Sequence, residues 1–169
     1  MQWFPAYVGI GSNLEQPARQ VRRALTGLAA LPQTRLELVS SLYRSVPFGP
    51  VVQPQYVNAV AALLTQLAAQ PFYGLLRDLE IELGRPPRQR WGPRLIDLDL
   101  LVFGEQTLEE PELTVPHPGI VQRNFVLYPL RDVAPQLWIP GRGRVATLAA
   151  AVAPEGIWRL EDETTTHDA

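Results

Sequence analysis

The stretch LELVSSLYRSVPFGPVVQPQYVNAVAALL, residues 36–64, holds two apolar runs around a proline-rich connection. Residues 36–43 read as one strand. Residues 56–64 read as another, and strand alternation sends Tyr56, Asn58 and Val60 to one face. Between the runs, Pro47, Pro50 and Pro54 remove the N–H donors that a sheet ladder needs, so the connection is a long loop. Its apolar side chains Phe48, Val51 and Val52 need a partner or a ligand. Two strands in direct succession exclude a regular strand-helix alternation.

Outward from that pair the pattern completes itself. Residues 6–10 read as a short buried strand closed by Gly11-Ser12-Asn13, and Pro17 sits where a first helical turn tolerates it. Val21, Leu25 and Leu28 then recur at helical spacing, with Arg19, Arg22 and Arg23 turned outward. Downstream, Pro71 opens a helix whose Phe72, Leu75, Leu76, Leu79 and Leu83 form one apolar stripe, with Gly84 as its stop. Residues 95–103 are the fourth strand. A helix over 123–133, a short strand over 137–139 and a short helix over 147–153 follow. The order β-α-β-β-α-β predicts an α+β, ferredoxin-like fold, with a mostly antiparallel sheet and helices packed on its faces. One domain over residues 1–161 and a polar tail over 162–169 are expected.

Composition narrows the function. With 46% hydrophobic and 19% charged residues in 169, the chain is not intrinsically disordered. A net charge of −2 argues against a general polyanion binder, so no nucleic-acid partner is expected and any phosphate contact must come from a local basic cluster. Cysteine is absent, which excludes disulfides, thiolate metal sites and cysteine catalysis. No run of 18 apolar residues and no secretory layout occur, so a cytoplasmic protein without membrane contact is expected. Every basic residue is arginine.

The chemistry concentrates in Ile96-Asp97-Leu98-Asp99-Leu100-Leu101. Alternation sends both aspartates to one face, with Cα atoms roughly 6.6–6.8 Å apart. Two carboxylates side by side repel, and they suit a hard cation such as Mg²⁺, which completes its shell with phosphate oxygens and water. A half-exposed strand with acidic outer positions is the competing reading. Immediately upstream, Arg85, Arg88, Arg90 and Arg94 crowd into ten residues around Trp91. Four guanidinium groups need anions among them: either the two aspartates, as a structural ion-pair cluster, or a triphosphate bridged to them by magnesium. Tyr56, Asn58 and Phe125 suit a flat heterocycle, the rings by stacking and the amide at its edge; the competing reading is that each ring is an ordinary core aromatic. His117, between two prolines, is rigidly placed and either donates to a phosphate or is an ordinary surface histidine of a loop. Gly9-Ile10-Gly11 is only half of a nucleotide-binding glycine turn, and a tight strand exit explains it equally well.

Five segments in order carry a resemblance: residues 7–14 (YVGIGSNL), 41–45 (SLYRS), 55–59 (QYVNA), 90–99 (RWGPRLIDLD) and 113–118 (LTVPHP). Together they resemble the 6-hydroxymethyl-7,8-dihydropterin pyrophosphokinase family of folate biosynthesis, from about residue 6 to residue 140. The resemblance implies ATP as co-substrate, two Mg²⁺ ions, and pyrophosphate transfer to the pterin hydroxymethyl group with release of AMP. Carried over by position, it implies that Asp97 and Asp99 hold both metals. Tyr56 and Phe125 enclose the pterin, while Asn58 and backbone groups around Ser45, Val46 and Phe48 read its edge. Arg85 and Arg94 steady the phosphates. Glu80, Leu100, Thr114, His117 and Arg123 border the nucleotide, with Arg88, Arg90 and Trp91 on the loop above it. Pro86-Pro87 departs from the family pattern, in which a second arginine stands two positions after the first. A monomer is expected. The rivals are a different D-x-D nucleotidyl or glycosyl transferase, which would not release AMP, and a ferredoxin-like nucleotide-sensing or RNA-binding module.

Overall fold

The computed structural model describes residues 2–47, 52–84 and 95–160. The elements are β1 (Phe4–Ser12), α1 (Pro17–Ala29), β2 (Thr34–Val39), β3 (Tyr43–Ser45), β4 (Tyr56–Thr65), α2 (Ala69–Glu82) and β5 (Asp97–Phe103). There follow β6 (Leu108–Glu109), β7 (Thr114–Val115), a 3-10 turn (Ile120–Gln122), α3 (Asn124–Val133), β8 (Trp138–Ile139), β9 (Gly143–Arg144), α4 (Val145–Ala150) and β10 (Ile157–Arg159). The main sheet runs β10-β3-β4-β1-β5, with β2 also paired to β4, and every pairing is antiparallel. This is the α+β, ferredoxin-like arrangement that the element order predicts.

Helices cover both faces. On one, Val21, Ala24 and Leu28 of α1 and Phe72, Leu76 and Leu79 of α2 pack on Val8, Ile10, Ala59, Leu63 and Leu98. The two helices approach closely at Gly27, where a Cβ would stand 2.6 Å from a Leu79 methyl. On the other face, Val126 and Leu130 of α3 and Val145 of α4 meet Val60, Leu101 and Val102. A register shift between Tyr7 and Val8 in the β1–β5 ladder lets Leu101 and Val102 both face α3.

One sequence expectation needs correcting. Residues 36–43 do not form one strand; they divide into the end of β2 and the start of β3, both paired to β4. The break is made at Ser40, whose N–H donates to the Val60 carbonyl at 2.9 Å while its hydroxyl accepts the Val60 N–H at 2.8 Å. A side chain thus replaces a ladder acceptor, and the chain turns without leaving a buried N–H unpaired. Ser40→Ala should therefore cost about 1–3 kcal/mol, the penalty for an orphaned buried donor. Urea denaturation measures it, and a loss under about 0.5 kcal/mol would remove Ser40 from that role.

The short strand β10 has no counterpart in the sequence reading. It pairs with β3, and Asp132 of α3 locks it there by accepting from the Tyr43 hydroxyl (2.8 Å) and pairing with Arg159 (3.3 Å). Burial and the Asp132 carboxylate together raise the Tyr43 phenol above its usual range. The expected short helix over 147–153 lies over Val145–Ala150, and the expected tail lies outside the described residues.

Candidate active site

The site sits on the α3 face of the sheet, where register decides which residues meet. Gly11 of β1 lies between Asn58 of β4 and Asp97 of β5, and Gly9 lies between Val60 and Asp99. The two glycines leave a trough between flanking side chains. A Cβ at Gly11 would stand 3.3 Å from Asn58 Oδ1, and one at Gly9 would touch the Leu101 side chain at 3.4 Å. Here the glycines serve by having no side chain rather than by forming a turn.

That trough is the floor of a cavity of about 230 Å³ lined by Ser45, Val46, Gln53, Tyr56, Asn58, Asp97, Asp99, Arg123 and Phe125, among others. One Asn58 Nδ2 donor is committed to the Ser45 hydroxyl at 2.6 Å. Oδ1, the amide oxygen nearest Gly11, is turned toward the trough. The Val46 N–H already donates to the Gly156 carbonyl at 2.9 Å, so a ligand meets Val46 through its carbonyl or side chain. Phe125 follows the first residue of α3, with the Arg123 guanidinium 5.7 Å from its ring centroid. Gly119 lets that guanidinium in: a Cβ there would lie 2.8 Å from Arg123 Nε.

A second cavity of about 230 Å³ opens on the other side of β5, lined by Tyr73, Arg77, Asp99, Leu100, Glu112, Thr114, His117 and Pro118 among others. Asp99 belongs to both cavities. The His117 backbone N–H donates to the Leu101 carbonyl at 2.8 Å, which ties its loop to β5. Its Nδ1 accepts from the Gly119 N–H at 3.2 Å, placing the ring proton on Nε2. Burial pushes the imidazole below the usual histidine range, Asp99 opposes that, and Arg123 adds to it. A neutral ring at physiological pH can still donate from Nε2.

Glu80 is committed inside the protein: it is buried, accepting the Leu98 N–H at 2.8 Å and pairing with Arg77 at 3.0 Å. Phe48, Arg85, Arg88, Arg90, Trp91 and Arg94 lie outside the described residues. Three contributors went unread in the sequence. Gln53 enters the first cavity because Asn13, at the exit of β1, donates to its side chain at 2.8 Å and to the Pro54 carbonyl at 2.9 Å. Tyr73 and Arg77 reach the second from α2; their spacing, with Glu80 three residues on, was the available signal.

Among the described residues no group of three carboxylates or imidazoles could hold a metal. Two hard carboxylate oxygens facing a side-chain-free trough nevertheless fit magnesium, which takes few protein ligands when phosphate supplies the rest.

The sequence profile of the 7,8-dihydro-6-hydroxymethylpterin-pyrophosphokinase (HPPK) family matches residues 7–135. The chain belongs to this family. It is thereby an enzyme of the pyrophosphokinase type. Among HPPK relatives, the 2-amino-4-hydroxy-6-hydroxymethyldihydropteridine pyrophosphokinase of Pseudomonas aeruginosa is 51% identical over 91% of this chain and 95% of its own. That of Haemophilus influenzae is 38% identical over 92% and 97%. Solved HPPK-DHPS chains share the fold. One, in complex with substrates, superposes with a TM-score of 0.72 at 10% identity over 89% of this chain. A Plasmodium falciparum triple mutant with pteroate gives 0.70 at 13% identity over 94%. This chain spans 43% and 47% of those two chains. No described helix is long and apolar enough to cross a membrane.

Proposed function

We propose that the chain transfers pyrophosphate from ATP to the hydroxymethyl group of 6-hydroxymethyl-7,8-dihydropterin. The hydroxyl oxygen bonds to the β-phosphorus and gives up its proton to solvent, the bond from that phosphorus to the α,β-bridging oxygen breaks, and AMP leaves with that oxygen. The observation that carries this reading is Asp99 at the junction of two cavities, one bounded by Tyr56, Asn58 and Phe125 and the other by Thr114 and His117. A pterin in the first and a nucleotide in the second bring their reacting ends together at β5.

Tyr56 and Phe125 stack on the flat ring, and the Asn58 oxygen accepts a ring N–H. Arg123 and the neutral His117 place donors toward phosphate oxygens. Asp97 and Asp99 would hold magnesium, two ions in this reading. Bound metal supplies charge neutralisation at the phosphates, the main requirement of phosphoryl-type transfer. In this reading the enzyme acts as a monomer in the cytoplasm.

Incubation with ATP, Mg²⁺ and the hydroxymethyl dihydropterin tests the proposal. Stoichiometric AMP and a pterin diphosphate are expected. Release of ADP or of free pyrophosphate would replace it with another transferase reading.

A further inference from the structure

β5 ends the sheet, and no strand among the described residues pairs along its outer side. At Leu98 that side is instead served by two side chains of α2. Glu80 Oε2 accepts the Leu98 N–H at 2.8 Å, and Arg77 Nη2 donates to the Leu98 carbonyl. The two side chains also pair with each other at 3.0 Å, and the Arg77 guanidinium lies 4.8 Å from the centroid of the Tyr73 ring. Leu98 is the residue between Asp97 and Asp99. One ion pair thus grips both backbone polar groups of the single residue that sets the spacing of the two carboxylates.

Stability alone explains this poorly. Glu80 is 2% exposed, and a buried ion pair recovers little beyond its own desolvation. Arg77 Nε is buried with no hydrogen-bond partner among the described residues, a further cost. An apolar contact between α2 and β5 would be cheaper. The arrangement gains something an apolar contact lacks: a fixed height and rotation of the strand where the carboxylates leave it.

Building on the function proposed above, we infer that Arg77 and Glu80 are positioning residues, holding Leu98 so that Asp97 and Asp99 present a preformed cation site. Support of this kind behind metal ligands typically carries about 10–100-fold in metal affinity. The test is Mn²⁺ titration by electron paramagnetic resonance without nucleotide, so that a direct contact between Arg77 and phosphate cannot contribute. Pterin affinity, measured by fluorescence, is followed in parallel.

Glu80→Ala and Arg77→Met should weaken Mn²⁺ binding about tenfold or more, with pterin affinity within about twofold. Glu80→Gln, which keeps an acceptor for the Leu98 N–H, should stay closer to the parent than Glu80→Ala. If Glu80→Ala does not fold, the double change Arg77→Met with Glu80→Met removes both charges together and should show the same selective loss. Mn²⁺ affinity within about threefold of the parent, or parallel losses of Mn²⁺ and pterin, would overturn the inference. Failure of the parent to bind pterin would instead count against the proposed function and leave the Mn²⁺ result to stand by itself.

Discussion

Replacing Asp99 by alanine should lower turnover about a thousandfold while the protein stays folded and keeps its pterin affinity. Asp99 borders both cavities and leaves β5 beside Gly9, which offers no side chain to take over its role. A carboxylate that holds a catalytic cation contributes several kcal/mol of transition-state charge stabilisation. At about 1.4 kcal/mol per tenfold, that is roughly three orders of magnitude. Asn58, Tyr56 and Phe125 are untouched by the change, so ground-state binding of the ring should survive. Single-turnover formation of AMP measures the chemistry, and fluorescence titration measures the pterin. Turnover above about a tenth of the parent would show that the cation is held elsewhere.

Gly11→Val should have the opposite profile, weakening pterin binding roughly a hundredfold while sparing the nucleotide side. The Cβ alone would come to 3.3 Å from Asn58 Oδ1 and 3.7 Å from Tyr56 Cδ1, so the two methyl groups beyond it project into the trough. They would displace the ring from its edge contact and from at least one stacking face. Losing both should cost about 3 kcal/mol, or roughly a hundredfold in affinity. Valine favours strands, so β1 itself should hold. Pterin affinity within about threefold of the parent would mean that the ring lies elsewhere. The pair of variants separates the two halves of the site.

Much of this arrangement is legible along the chain. Alternation through residues 96–100 puts Asp97 and Asp99 on one face because a strand's period of two is a property of the local backbone. The succession of apolar runs over residues 36–43 and 56–64 implies neighbouring antiparallel strands for a similar reason: prolines at 47, 50 and 54 do not suit a helix that could cross over the sheet. The apolar stripe from Phe72 to Leu83 and the glycine after it mark a helix and its end just as directly.

Other features depend on partners far away in sequence. Gly9 and Gly11 look like a tight strand exit until register sets them between β4 and β5, where their missing side chains make a cavity floor. Ser40 looks like an ordinary strand residue, yet its hydroxyl stands in for a backbone acceptor toward Val60, twenty positions away. Gln53 becomes a wall residue only through Asn13, forty positions earlier.

Sequence by itself therefore determined the strand-helix order up to residue 103 apart from the break at Ser40, the antiparallel fold and the facing acidic pair, since each follows from periodicity and chain connectivity over a few residues. Only the tertiary structure decided that Asp99 joins two cavities, and that Arg77 and Glu80 grip the strand between the aspartates. Those contacts depend on strand register and on how α2 docks against β5, which no local pattern encodes.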